Sequence, residues 1–300
     1  MATSRINSVK TSSRGHGPSR EHIAKAAGVR TRPLQARMLL LSLLLYLMTV
    51  PAVAGAPCGG DFAGWLQGLK QEAVGQGISE STIDSALGGI SYDPTIITRD
   101  HAQGVFRQSF EQFSGRMVPP RLARGSRLLQ QYRPLFDRIE QQFGVPGSVI
   151  VAIWGLETDF GAVNGNFPTI RALATLAYDC RRAEKFRGEL LAALQIVDRG
   201  DMSAAQMLGA WAGEIGQTQF LPSSYLKFAV DYEHKGHRDL IQSVPDVLAS
   251  TANYLKGYGW QRDQSWGEGT PNFQVLLQWN ASTVYTKTVA YFAEQLAPGE

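Results

Sequence analysis

The apolar positions of this chain follow three patterns, and each predicts a different element. The first is an unbroken run, LLLSLLLYLMTV at residues 39–50, without charge or period. It is short for a membrane span and leads into small residues at Ala52 and Ala54, which predicts a secretory signal cut before Gly55. The second pattern is a stripe at helical spacing. In DFAGWLQGLKQEAVGQG (61–77), Phe62, Trp65, Leu66 and Leu69 share a face that Gly75 and Gly77 close, and STIDSALGG reads as a shorter helix. RLLQQYRPLFDRIEQQFGVP repeats Leu128, Tyr132, Leu135, Ile139 and Phe143, with a break or kink at Pro134 and an end at Gly144 and Pro146. TIRALATLAYD and GELLAALQIVDRG add two helices, and Ser243 with Asp246 reads as a capping box before Val247, Leu248, Thr251, Tyr254, Leu255 and Tyr258. The third pattern is SVIVAIWGL (148–156), apolar on every side and therefore a buried helix or strand. FQVLLQW (273–279) is the longest stretch with strand-like alternation. The expected class is mainly α with at most a small β element, without an internal repeat or a second-domain linker.

Composition changes the picture once the leader is set aside. The 300 residues are 44% hydrophobic, enough for one large domain or two small ones. Residues 1–54, the leader and signal, hold eight of the 29 Lys and Arg and one of the 26 acids, so the mature chain carries 21 bases against 25 acids, a net of −4. The basic balance of the full sequence thus says nothing about nucleic acid, and no nucleic-acid partner is expected. No integral membrane segment remains after processing. The two cysteines, Cys58 and Cys180, are expected to pair in an oxidising compartment. Pro57 stands where a lipoprotein anchor at Cys58 would require a small residue.

Serine-nucleophile chemistry has no motif here, and His101, His234 and His237 do not fall at metal-ligand spacing. The candidate is Glu157. It ends the most apolar run of the mature chain, where a carboxyl stays protonated or finds partners, and a raised pKa suits a general acid. Asp159, two positions on, points away on a helix and makes no carboxylate pair with it. A structural role, capping a neighbouring helix or pairing with Arg171, fits the same residue. A second stretch, WAGEIGQTQFLPSSY (211–225), combines glycine turns, amides and aromatics with little charge, a mixture that binds neutral sugars.

Five ordered motifs, ETDFG, ALATLAYDCRRAEKF, AGEIGQTQFLPSSY, ANYLKGYGW and QWNASTVY, resemble the MltB-type lytic murein transglycosylases over nearly all of the mature chain from about residue 61. The resemblance implies a lysozyme-like helical core at 144–265, an N-terminal helical region at 55–143 and a C-terminal segment at 266–300 that folds back on the groove. The groove would hold peptidoglycan glycan strands in the periplasm, without a cofactor, and a complex with other cell-wall enzymes is a possible setting. Glu157 matches the family's single catalytic acid. It would protonate the glycosidic oxygen between N-acetylmuramic acid and N-acetylglucosamine, then deprotonate the muramyl 6-hydroxyl, which attacks its own C1 to give a 1,6-anhydro sugar. Ordinary retaining and inverting glycosidases need a second carboxyl, and none near Glu157 in sequence faces it. Gln219, Phe220 and Tyr254 match positions lining the sugar sites, and Asn280 and Tyr285 match the segment that returns to the groove.

The chain departs from the family pattern at several places. Ala210 stands where some members carry a serine, and Lys185 replaces an aromatic. Asp231, Glu233 and Lys235 in DYEHKGHRDL (231–240) occupy the first three ligand positions of an EF-hand-like calcium turn, and Lys235 puts a cation where an oxygen belongs. The turn is expected to persist at Gly236 with calcium weak or absent. Glu214 adds a second acid to the GEIGQTQF loop, which keeps open a hydrolytic muramidase using Glu157 with Glu214. A glycan-binding scaffold without activity is the remaining alternative.

Overall fold

The computed structural model describes residues 58–102 and 108–297; the leader, signal and cleavage site expected over 1–54 lie outside them. Thirteen helices and one two-stranded ribbon make up the described residues. No helix among them is long and apolar enough to cross a membrane.

The N-terminal helices begin where the sequence supplies an acceptor for free N–H groups. Asp61, Ser79 and Asp93 cap α1 (Phe62–Gly75), α2 (Glu80–Leu87) and α3 (Pro94–His101). Ser109 and Gln112 form a reciprocal capping box at the start of α4 (Phe110–Met117). The long stripe around Pro134 is two helices, α5 (Pro119–Gln131) and α6 (Arg133–Phe143), because a proline in the first turn starts a helix more easily than it continues one. Gly144, at φ 79°, ends α6.

The run SVIVAIWGL is helix α7 (Gly147–Thr158), and every residue of it except Glu157 is buried. It packs against α5, α6, α11 (Val244–Gly257) and α13 (Thr283–Leu296). Surrounded on all sides, it has no need of an amphipathic stripe. After α7 come α8 (Thr169–Tyr178), α9 (Ala183–Asp198) and α10 (Pro222–Phe228), with α8 and α9 packed closely. The β element is β1 (Phe167–Pro168) antiparallel to β2 (Leu208–Gly209).

FQVLLQW is not a strand; it lies in α12 (Pro271–Trp279). Thr270 caps it by accepting from Phe273 N–H, Pro271 opens it, and the buried pairs Asn272–Phe273 and Val275–Leu276 follow helical spacing. Short apolar runs are ambiguous between the two periods, and the cap decides. Ser243 does accept from Asp246 N–H, at 3.4 Å. The return bond of a capping box is missing, because the Asp246 carboxylate takes Tyr232 N–H and Asp239 N–H.

The described residues form one packed unit, and Leu69, Ile150 and Phe292 belong to one apolar core. Cys58 and Cys180 are bonded, their Cα atoms 5.1 Å apart. Beside that bond Gly59 N–H donates to Tyr178 O, and Tyr178 OH donates to Gly60 O, so the start of the described chain is held to the end of α8.

Candidate active site

The end of α7 is shaped by the residues of ETDFG. Asp159, Phe160 and Gly161 all have positive φ (56°, 58° and 77°), which stops the helix and turns the chain back. Phe160 folds over Gly155, where a Cβ would lie 2.8 Å from its ring, and meets the Trp154 ring edge-on at 5.7 Å. Thr158 donates to Gln217 O and accepts from Gly161 N–H. Asp159 pairs with Arg121, whose Nε also donates to Gly155 O. Gly155, Thr158 and Asp159, around Glu157, are thereby held by residues of other elements.

Glu157 itself is half-buried in the wall of a cleft of about 420 Å³. Two donors converge on one of its oxygens: Tyr285 OH at 2.6 Å and Trp279 Nε1 at 2.9 Å, both to Oε1. Burial raises the carboxyl from its ordinary value to about 7, against the two hydrogen bonds, which favour the ionised form, and with a further push from the negative charge of Glu214. The geometry leaves Oε2 to carry the proton while Oε1 accepts. Near neutral pH this group is therefore an acid with its basic oxygen held in place. Arg171, the alternative partner from the sequence, pairs with Asp93 instead.

Gln219, Phe220, Tyr254 and Asn280 line this cleft with Glu157. Gln219, at φ 56°, turns its Nε2 onto Asn164 O and Gly216 O. Phe220, Tyr254 and Trp279 form an edge-on aromatic cluster, with centroids 5.8 Å (Phe220–Tyr254), 5.4 Å (Phe220–Trp279) and 4.8 Å (Tyr254–Trp279) apart. Tyr254 OH donates to Gln278 O, which fixes that face. Tyr285 is buried and is brought to the acid rather than to the cleft lining. Lys185, Ala210 and Glu214 also line the cleft. Burial raises the Glu214 carboxyl as well, and its Oε2 has no hydrogen-bond partner among the described residues.

Comparison with known proteins places this arrangement. The family model for the transglycosylase SLT domain matches residues 61–270. The chain belongs to the SLT-domain transglycosylases. Its relatives include the Escherichia coli (strain K12) membrane-bound lytic murein transglycosylase B, 39% identical over 145 residues, 48% of this chain and 40% of that protein. The chain thus spans well under half the length of that relative. Among solved structures, SltB3 from Pseudomonas aeruginosa in complex with NAG-anhNAM-pentapeptide is 32% identical with a TM-score of 0.75, covering 80% of both chains. The Escherichia coli lytic transglycosylase Slt35 in complex with calcium is 26% identical with a TM-score of 0.71, covering 81% of this chain and 96% of that one.

Asp231 accepts from Lys235 N–H and Gly236 N–H, and the Lys235 ammonium lies 2.5 Å from Glu233. The lysine thereby holds with its own charge a carboxylate that a calcium turn would offer to the ion.

Two residues in this SLT-domain site escaped sequence reasoning. Trp279 lies in QWNASTVY, one position before Asn280, and its signal was an indole N–H that must find an acceptor when buried. Gln217 looks like a sugar-binding amide, but its side chain joins Trp154 Nε1 to Ile241 O. It holds the GEIGQTQF loop against α7.

Proposed function

We propose that this protein is a lytic transglycosylase that cleaves the β-1,4 bond between N-acetylmuramic acid and N-acetylglucosamine of peptidoglycan in the periplasm. The carrying observation is the carboxyl of Glu157 in the cleft wall, whose Oε1 takes both Tyr285 OH and Trp279 Nε1. The proton on Glu157 Oε2 passes to the glycosidic oxygen as the C1–O bond breaks, and N-acetylglucosamine leaves with its 4-hydroxyl restored. The carboxylate then takes the proton of the muramyl 6-hydroxyl, whose oxygen bonds C1. Atoms balance without water, and Glu157 ends protonated as it began.

Gln219, Phe220, Tyr254 and Asn280 bind the sugars in this reading. The aromatic faces support the rings, and Asn280 stands at the end of α12 beside the donor Trp279. Tyr285 acts through Glu157 and is a positioning residue. The fit to SltB3, whose complex contains an anhydro sugar and a pentapeptide, supports the same product class for this chain. No metal enters the proposed reaction. Association with other cell-wall enzymes is compatible with it and forms no part of it.

Glu214 supports the second reading, in which it activates water as a base and the products carry reducing ends, because it lines the same cleft as Glu157. Digestion of purified peptidoglycan by the mature protein and by Glu157→Gln, followed by muropeptide mass spectrometry, tests both. Products one water lighter than reducing-end muropeptides are expected from the wild type and none from the variant. Reducing ends would favour hydrolysis, and binding without products would leave a scaffold.

A further inference from the structure

Of the fourteen arginines among the described residues, six are held by carboxylates and eight are not. Arg121, Arg171, Arg181, Arg182, Arg187 and Arg238 each lie within ion-pair distance of a carboxylate. Arg99, Arg116, Arg124, Arg127, Arg133, Arg138, Arg199 and Arg262 are exposed and make no ion pair among the described residues. Arg124, Arg127, Arg133 and Arg138, half of these eight, fall on two consecutive helices. On α5 the exposed positions 123, 124, 127, 130 and 131 form one helical face, and on α6 so do 133, 134, 137, 138, 141 and 142. Asp137 is the one fully exposed acid on these two faces, the half-exposed Glu140 lines a pocket with Arg133 and Asp137, and Gln130, Gln131, Gln141 and Gln142 lie among the arginines. Lys256 and Arg262 add cations at the end of α6 through Gln142 O and Gln141 O.

A chain that is acidic overall after the leader thus carries four guanidinium groups without a carboxylate partner on the exposed faces of two consecutive helices. An arginine without a carboxylate is suited to bidentate capture of one from outside. The face lacks what a lipid surface would use, because the exposed large hydrophobics are Val74, Tyr92, Val163, Leu208, Tyr258 and Tyr291, none of them on α5 or α6. Guanidinium and amide groups together suit a peptide that carries carboxylates. In peptidoglycan the carboxylates sit on the stem peptides, while the glycan is largely uncharged. None of the four arginines lines the cleft that holds Glu157.

We infer that the exposed α5–α6 face binds stem-peptide carboxylates of the intact wall outside the catalytic cleft, holding the enzyme on the polymer between cleavages. This rests on the peptidoglycan reading of the cleft. Charge attraction of this kind is weakened by salt.

The test uses the mature protein carrying Glu157→Gln, so that the wall is not digested, and measures co-sedimentation with isolated sacculi. Replacing Arg127, Arg133 and Arg138 by Gln is expected to weaken binding about ten-fold at low salt, with an unchanged thermal midpoint. Replacing the same three by Lys should retain most of it. Sacculi whose carboxyls have been amidated should bind the unsubstituted face no better than native sacculi bind the Gln variant. Equal binding by the Gln variant, indifference to amidation, or stronger binding to phosphatidylglycerol vesicles than to sacculi would overturn the inference. Turnover of soluble glycan fragments by the triple variant with Glu157 intact should stay at the wild-type level. If the wild type turns over no such fragments, the lytic reading fails, while the sedimentation result still reports on the face.

Discussion

Glu157 and Glu214 line the same cleft, and burial raises the pKa of both, yet their surroundings differ in kind. Glu157 ends a fully buried helix and has two donors fixed on one oxygen. Glu214 stands in a loop between Gly213 and Gly216, with Oε2 unpartnered and the cations Lys185 and Arg182 acting on it from a distance. In the proposed reaction, burial alone would therefore not suffice for the acid. Glu157 has burial to keep the proton on and oriented donors to steady the carboxylate once the proton has gone. Glu214 has the first, with the backbone N–H groups of Glu214 and Ala212 favouring its charge, and takes no side-chain donor among the described residues.

The comparison breaks most easily at Glu157. Glu157→Gln removes the proton donor and should lower turnover by about 10³-fold while glycan binding is retained, measured by release of soluble muropeptides. Tyr285→Phe should come next, lowering turnover about 10- to 100-fold. Its signature is the sign of a shift. The lost hydrogen bond favoured the ionised form, so the alkaline limb of the pH profile should move up rather than down. A variant that only loosened the fold would admit water to the carboxyl and move that limb down.

Glu214→Gln should cost a few-fold at most. It removes a negative charge near Glu157, so the alkaline limb should move slightly down, opposite to Tyr285→Phe. Loss of turnover as large as that of Glu157→Gln would mean that the second carboxyl is part of the chemistry.

Stability offers a smaller contrast. Folded Glu157 holds its proton up to about pH 7, whereas in the unfolded chain it loses it near its ordinary value. Between those values the folded state binds more protons, so this group makes the fold less stable as pH rises through that window. Glu157→Gln should therefore raise stability by about 1–3 kcal/mol at pH 8, a figure kept low because the side chain is half-buried, and by little at pH 4. Urea denaturation at the two pH values reads the difference. The smallest effect is expected from calcium, which should shift the thermal midpoint of the wild type by less than about 1 °C because Lys235 already occupies Glu233.

The part of this site carried by local sequence was legible. An uncharged run ending in a carboxyl predicts both a buried helix and an awkward acid, and α7 has that form. The glycines of ETDFG and GEIGQTQF mark turns correctly because left-handed backbone is a local property. What meets the acid was not legible. Trp279 and Tyr285 are 122 and 128 positions away, and no period links them to Glu157. The two amides of the loop show the same limit: Gln217 turns inward and Gln219 lines the cleft, and the left-handed step at Gln219 is known only from the fold. Helices α3 and α4 lacked a long apolar stripe to announce them, and their caps were the available signal.

The central claim is that one carboxyl, kept protonated by its surroundings, carries both proton transfers. The pH dependence of kcat/KM on a soluble glycan fragment, in the wild type and in Glu214→Gln, tests it most directly. The account predicts one limb falling above a pH of about 7 in both proteins. A second limb on the acid side that is present in the wild type and absent from Glu214→Gln would contradict it.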